Sequence, residues 1–125
     1  MRILVADDNP INQKLVYYSL KRYYDIETAN NGKEVLTLIQ DKSIDLILMD
    51  FSMPVMDGAQ ATEYIRKMEG SSEKRIPIIF VTTNDIEKDR QACMELGADD
   101  YLVKPVDTDL LLEKIRFHLQ ENLTT

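Results

Sequence analysis

Five polar residues of this chain, each at the end of a short apolar run, have side chains suited to metal and phosphate chemistry. They are Asp7, Asp8, Asp50, Thr82 and Lys104. Carboxylate oxygens suit Mg²⁺, which prefers octahedral oxygen coordination and binds one or two protein carboxylates together with a substrate phosphate. A lysine ammonium and a threonine hydroxyl suit phosphoryl oxygens. Jointly these residue types fit a phosphoryl group beside a divalent cation.

Asp50 is the best candidate for a nucleophile among them. A carboxylate can attack phosphorus to form an aspartyl phosphate, while a metal held by Asp7 and Asp8 offsets the developing charge. Each residue alone also has a structural explanation, since Asp caps helices and turns attract polar residues. That explanation must account for all five residues at the ends of almost wholly apolar runs, so the sequence favours a site.

The apolar runs themselves predict five strands. Most are short and almost uniformly apolar, which is typical of strands buried on both faces of a sheet. The predicted strands cover residues 2–6, 25–29, 44–49, 76–81 and 101–103. The second alternates at Ile26 and Thr28, which favours a position nearer the sheet edge.

Apolar residues at helical spacing predict a helix after each strand. The residues that mark the helical faces are Leu15, Val16, Ser19, Leu20 and Tyr23 in the first helix, Val35, Leu38 and Ile39 in the second, Ala61, Ile65 and Met68 in the third, and Leu111, Ile115 and Leu119 in the fifth. The fourth helix, from Ile86 to Leu96, is the least apolar, and Gly97 is predicted to close it.

This alternation predicts an α/β fold, a doubly wound parallel sheet of five strands with five helices on its two faces. In such a sheet the binding crevice lies at the carboxyl ends of the strands, where the strand order reverses. In the flavodoxin-like order 2-1-3-4-5 the first and third strands are neighbours. Asp7, Asp8 and Asp50 would then meet within a few ångströms.

Composition limits the remaining function classes. The 125 residues, 44% of them hydrophobic, suit one domain over residues 1–125. The formal net charge of −7 argues against direct nucleic-acid binding, which needs clustered Lys and Arg. No apolar run approaches the ~20 residues that span a bilayer, and no secretory signal opens the chain. We therefore expect a soluble, cytoplasmic protein without membrane insertion.

Two reactive residue types occur once each. Cys93 is the single cysteine, so no disulfide within the chain and no thiolate metal site is expected, and core packing is predicted for it. His118 is the single histidine. We predict a solvated or partly packed residue there, with no carboxylate nearby to orient its ring.

Four sequence blocks resemble the signature blocks of response-regulator receiver domains. They are Asp7-Asp8-Asn9, residues 49–58 (MDFSMPVMDG), Val81-Thr82 and residues 97–105 (GADDYLVKP). The blocks have the family's order and spacing and span nearly the whole chain, which makes the match far more specific than one short motif.

The resemblance implies that Asp50 accepts phosphate from a partner's phosphohistidine in a two-component phosphorelay. It implies Mg²⁺, with Mn²⁺ as the alternative ion, bound by the aspartates and by the backbone carbonyl of Ser52. Thr82 and Lys104 would contact the phosphoryl oxygens, and Pro105, after a cis peptide bond, would orient the lysine. The domain would catalyse only its own phosphorylation and dephosphorylation.

The resemblance also implies a switch and positions that tune it. Movement of Thr82 towards the phosphate would let Tyr101 turn inward and reshape the surface of the fourth helix, fifth strand and fifth helix. Thr83 stands where the family usually has Ala or Gly, and its bulk is expected to restrict access by small donors or water. Ser52 and Asn84 occupy positions that tune the lifetime of the phosphate.

The implied partners are a sensor histidine kinase or a histidine phosphotransfer protein, and a downstream protein partner or attached output module. The opening DDNPIN resembles receivers attached to hybrid histidine kinases. Three alternatives stay open: a receiver-like interaction module that is never phosphorylated, a Mg²⁺-dependent aspartyl phosphatase, and a flavodoxin-like nucleotide binder. The phosphatase usually needs Asp-x-Asp after the first strand, and the nucleotide binder a glycine-rich or hydroxyl-rich loop. Neither pattern is present.

Overall fold

Strands and helices alternate strictly along the chain. The computed structural model describes residues 1–70, 75–83 and 87–120. The elements within them are β1 (Arg2–Ala6), α1 (Pro10–Leu20), β2 (Asp25–Ala29), α2 (Gly32–Asp41), β3 (Leu46–Asp50), α3 (Gly58–Glu69), β4 (Ile78–Thr82), α4 (Glu87–Glu95), β5 (Asp100–Val103) and α5 (Thr108–His118).

The five strands form one parallel sheet in the order β2-β1-β3-β4-β5. Parallel neighbours need crossover connections, which the helices supply. The predicted α/β class, the strand order and the edge position of β2 are confirmed. Because β1 and β3 are adjacent, with Ala6 paired to Met49, the residues that follow them lie side by side.

Two apolar cores cover the two faces of the sheet, because successive side chains of a strand point to opposite faces. Leu4 and Ala6 belong to the core beneath α2, α3 and α4, which also contains Cys93, only 2% exposed. Ile3 and Val5 belong to the core beneath α1 and α5. The predicted packing role of Cys93 is confirmed.

Some predicted helical faces are less buried than their spacing indicated. Leu15 is 63% exposed, and Tyr23, at 48%, lies beyond the last residue of α1. Only Leu20 of α1 is fully buried, so this helix packs along a narrow stripe near its carboxyl end. Met68 of α3 is likewise 50% exposed.

The strand boundaries move by two residues in β3 and β4. β3 begins at Leu46 rather than Ile44, and β4 at Ile78 rather than Ile76. Pro77 has no N–H to donate to the ladder, although its carbonyl accepts from Ile47 N at 2.9 Å. The predicted start of the fourth helix, Ile86, lies outside the described residues. Gly97 follows α4 at φ +109°, a conformation that favours glycine.

The prediction that no carboxylate orients His118 is wrong. Asp100, the first residue of β5, faces the end of α5, and its Oδ2 lies 2.9 Å from His118 Nε2. Its other oxygen accepts a hydrogen bond from Lys114 Nζ at 2.8 Å. The two partners lie 14 and 18 residues further along the chain, so sequence proximity does not show the contact.

Within the part of the chain that the structure describes, no helix has both the length and the apolar character needed to cross a bilayer.

Candidate functional site

Three carboxylates meet at the carboxyl ends of β1 and β3. Asp7 and Asp8 directly follow β1, and Asp50 is the last residue of β3. One carboxylate oxygen of each lies within 4.8 Å of those of the other two. Asp7 and Asp50 are buried, each 7% exposed, while Asp8 is exposed. The three acids meet as the sequence predicted, because β1 and β3 are neighbours in the sheet.

Lys104 brings a positive charge to this cluster from the loop after β5, which is an edge strand of the sheet. It follows β5, and its Nζ lies 3.3 Å from Asp7 Oδ2 and 3.2 Å from Asp50 Oδ2. The ammonium therefore bridges the two buried carboxylates. The peptide bond between Lys104 and Pro105 is cis, as the resemblance implied.

Burial and charge perturb the ionisation of this group of residues. Burial raises the pKa of Asp50 above its ordinary value, and the negative charge of Asp7 raises it further, while Lys104 partly offsets both. Burial disfavours the charged form of Lys104, but the attraction of Asp50 and Asp7 outweighs it and raises the pKa of the ammonium. An ionised lysine thus faces the Asp50 carboxyl, whose pKa is raised by burial and by the charge of Asp7.

The loop between β1 and α1 is fixed by local hydrogen bonds. Asn9 is the N-cap of α1, and its side chain accepts from the backbone N–H groups of Ile11 and Asn12. The N–H of Asn9 in turn donates to Asp7 Oδ1 at 2.9 Å. Asp7 therefore also orders the turn that carries Asp8.

The loop after β3 is packed tightly against Asp50. The N–H of Ser52 donates to Asp50 Oδ1 at 3.3 Å. At the start of α3, a Cβ added to Gly58 would collide with the Asp50 carbonyl oxygen, so only glycine fits there. Asp57 caps α3 through a capping box with Gln60. These contacts hold Asp50 at the floor of an open cleft.

Most of the other site residues predicted from the sequence line one cleft above Asp50. The cleft is lined by Asp8, Asn9, Pro10, Asn12, Asp50, Phe51, Ser52, Thr82, Thr83 and Lys104. Thr82 ends β4 and is buried, while Thr83 is exposed at the rim. Asn84 lies outside the described residues. The structure thus brings Ser52, Thr82 and Thr83 to the same cleft as the acids.

Tyr101 stands apart from the acidic cluster, on β5 opposite Phe80 of β4. It is half-buried and packs against the core beneath α2, α3 and α4. The guanidinium carbon of Arg90, on α4, lies 5.0 Å from the ring centroid. The ring therefore joins β5 to α4.

The sequence analysis assigned no individual role to three residues near the cluster. Asn12 and Phe51 line the cleft, and Gln13, one turn into α1, donates from its side-chain amide to the carbonyl of Asp7. The one available signal was a polar amide pair just after Asp7-Asp8. Neutral amides are common in the first turn of a helix, so that signal was weak.

The model of the response regulator receiver domain family matches residues 3–116. The chain belongs to this family. The matched part contains the five strands, except for Arg2 at the start of β1, and the whole acidic cluster. The receiver fold and the arrangement of polar strand ends thus agree with the family assignment.

Named relatives and solved receiver domains support the assignment. A hybrid signal transduction histidine kinase I from Dictyostelium discoideum is 43% identical over 120 residues, which cover 91% of this chain and 7% of that protein. The receiver domain of a Pseudomonas aeruginosa sensor histidine kinase, solved with a magnesium ion coordinated in its active site cleft, is 32% identical with a TM-score of 0.85, and the match covers 96% of this chain and 98% of that one.

A third comparison is a receiver domain of a Saccharomyces cerevisiae response regulator, co-crystallised with a histidine phosphotransfer signaling protein. It is 27% identical, with a TM-score of 0.88, and the match covers 99% of this chain and 93% of that one. Among whole proteins the overlap is small, since this receiver domain spans 7% of the Dictyostelium kinase and 12% of the sensor histidine kinase RcsC of Salmonella typhimurium.

Proposed function

We propose that this receiver domain accepts a phosphoryl group at Asp50 from the phosphohistidine of a partner protein. The observation that carries the proposal is the cluster of Asp7, Asp8 and Asp50 bridged by Lys104. Three carboxylates with one cation have an excess of negative charge, which a divalent ion would offset. Asp50 then has an oxygen at the floor of an open cleft, as a phosphoacceptor requires.

The donor set fits Mg²⁺. Hard carboxylate oxygens that converge at one edge of a sheet suit a small cation that keeps several of its waters. Asp7, Asp8, Asp50 and the backbone carbonyl of Ser52 would hold it, with Mn²⁺ as the alternative ion. When bound, the ion supplies positive charge that stabilises negative charge on the phosphoryl oxygens in the transition state.

The chain's own side chains would orient the transfer. One carboxylate oxygen of Asp50 forms the new bond to phosphorus as the bond from phosphorus to the donor nitrogen breaks. Lys104 exchanges its contact with Asp50 for a phosphoryl oxygen, and the Thr82 hydroxyl donates to another. The domain in this way catalyses its own phosphorylation and, with water as the acceptor, its own dephosphorylation.

The exposed apolar surface of α1 beside the cleft suits a protein phosphodonor. Ile11 and Leu15 are 69% and 63% exposed and lie four residues apart on α1, the helix whose Pro10 and Asn12 line the cleft. An amphipathic helix that carries the phosphohistidine can bury this surface while reaching Asp50. The likeness to kinase receiver domains and to one bound to a phosphotransfer protein supports a sensor histidine kinase or a histidine phosphotransfer protein as the partner.

Output from the phosphorylated domain would pass through Thr82 and Tyr101. Thr82 ends the strand beside β5, and Tyr101 lies between the core and Arg90 of α4. Movement of Thr82 towards the phosphate would open space for the ring and change the surface of α4, β5 and α5. A downstream protein or attached output module would recognise that change.

Incubation with Mg²⁺ and a small phosphodonor, followed by intact-mass measurement, tests the proposal. We expect the wild type to gain the mass of one phosphoryl group and Asp50→Asn to gain none. Asp41→Asn, an exposed aspartate at the end of α2, is the matched control and should be phosphorylated like the wild type. An unmodified wild type in the presence of bound Mg²⁺ would favour the interaction module that is never phosphorylated.

A further inference from the structure

Gln13 links the loop that carries Asp7 and Asp8 to the neighbouring strand. It lies in the first turn of α1, half-buried, and its Nε2 donates to the carbonyl oxygens of Asp7 at 3.0 Å and Ala29 at 3.1 Å. The carbonyl of Ala29 also accepts from the N–H of Asp7 at 3.0 Å. One side chain thus ties together the carboxyl ends of β1 and β2.

The direction of the Gln13 amide follows from its neighbours. Backbone carbonyls can only accept hydrogen bonds, so the side-chain atom that faces them must be the NH₂ group. A third acceptor, Asn30 Oδ1, lies 3.3 Å from the same nitrogen. The other end of the Asn30 amide donates to Glu34 of α2 at 3.2 Å, so the network continues from α1 to α2.

The carbonyl held by Gln13 belongs to the peptide group that joins Asp7 to Asp8. Fixing that peptide plane removes one of the backbone rotations that set where the Cα–Cβ bond of Asp8 points; the other is the rotation about the N–Cα bond of Asp8. Asp8 is the exposed member of the acidic cluster, so packing constrains its carboxylate less than that of Asp7 or Asp50, and the backbone has the larger part in directing it. Asp7, in contrast, is buried and is also held by Lys104.

We propose that Gln13 is a positioning residue for the divalent-cation site, acting through the peptide between Asp7 and Asp8. The inference rests on the proposed function, since it requires that these acids bind Mg²⁺. Loss of the amide donors lets the peptide rotate and spreads Asp8 over several directions. Mg²⁺ then binds more weakly, while the chemistry at Asp50 is unchanged once the ion is bound.

The test compares Gln13→Met, which keeps the length of the side chain but has no donor, with the wild type. We expect the Mg²⁺ dissociation constant, measured by calorimetric titration, to rise about 10-fold, as for other residues that orient metal ligands. The Mg²⁺ concentration that half-saturates phosphorylation by a small donor should rise equally, with the rate at saturating Mg²⁺ within about twofold of wild type. Lys14→Ala, an exposed neighbour on α1, is the matched control and should bind Mg²⁺ normally.

The outcomes separate this inference from the proposed function. If the wild type binds no Mg²⁺, the proposed function fails and the inference fails with it. If the wild type binds Mg²⁺ and Gln13→Met binds it equally well, the inference alone fails, whatever the change in melting temperature. Should Gln13→Met not fold, Gln13→Asn, with the donor one methylene further back, decides by the same titration.

Discussion

Thr83 is a single side chain that can control access to Asp50. It is exposed and lies at the rim of the cleft, one residue beyond Thr82. We expect its β-branched side chain to narrow the path of water or a small donor to Asp50. We expect Thr83→Ala to increase the rate of dephosphorylation of Asp50 by about 3- to 10-fold, which corresponds to roughly 1 kcal/mol in the barrier.

The decay of the phosphorylated mass, followed after removal of the donor, measures this effect. Thr37→Ala is the matched control, because Thr37 is also exposed but lies on α2. An equal decay rate in wild type and Thr83→Ala would mean that the threonine does not shield the phosphate. Faster decay in both variants would instead indicate a general loosening of the fold.

At the scale of elements, Asp100 joins β5 to the last turns of α5. Burial would raise its pKa, but the hydrogen bonds from Lys114 and His118 outweigh that effect and lower it. A carboxyl with a folded-state pKa below its unfolded value stabilises the fold above the unfolded pKa, ~3.9 for Asp. This contribution is lost as the pH falls through the lowered folded-state pKa.

Asp100→Asn is therefore expected to lower the unfolding free energy at pH 7 by about 1–2 kcal/mol, somewhat less than the ~1.5–3 kcal/mol of a hydrogen bond to a charged group because solvent partly screens this contact. The difference from wild type should begin to shrink below about pH 4, where the unfolded-state carboxyl takes up a proton, and should vanish only below the lowered folded-state pKa of Asp100. Urea denaturation at pH 7, 5, 4 and 3 measures this difference in unfolding free energy. Glu113→Gln, an exposed position on α5, is the control. A difference that does not change with pH would show that charge contributes nothing to this contact.

At the scale of the whole molecule, the alternation of strands and helices along the sequence was enough to predict the sheet and the position of the acidic cluster. Four almost uniformly apolar runs and one alternating run located the five strands, and the strand order brought Asp7, Asp8 and Asp50 together. Contacts between distant segments were not predictable in this way. The pairing of His118 with Asp100 depends on where α5 crosses β5, which no local pattern encodes.

The same limit explains the errors in the helical faces. Spacing showed that Leu15 and Met68 recur with the apolar residues of their helices, but exposure depends on how far each helix leans over the sheet. Leu15 is exposed on the helix whose Pro10 and Asn12 line the cleft. The mismatch between the apolar pattern of this helix and its burial is what the proposed contact with a phosphodonor requires.

If the acidic cluster binds a divalent ion as proposed, that binding couples the stability of the whole domain to the ion concentration. Burial and the charge of Asp7 raise the pKa of Asp50, so ionisation of Asp50 at neutral pH opposes folding. This penalty grows as the pH rises from the unfolded-state pKa to the raised folded-state pKa. We therefore expect Asp50→Asn, in buffer with a chelator, to increase the unfolding free energy. The expected increase is about 1 kcal/mol, close to the energy that corresponds to a difference of one in pKa.

Addition of Mg²⁺ should reverse that order. A ligand that binds only the folded state stabilises it by about 2.7 kcal/mol at 100 times its dissociation constant. The wild type has all three carboxylates for the ion, whereas Asp50→Asn lacks one, so the wild type should gain more. Urea denaturation with chelator and with Mg²⁺, for the wild type, Asp50→Asn and the exposed control Asp41→Asn, measures both effects. If the wild type is already the more stable protein in chelator, the buried carboxylates do not repel each other enough to oppose folding, and Lys104 compensates them without a metal ion.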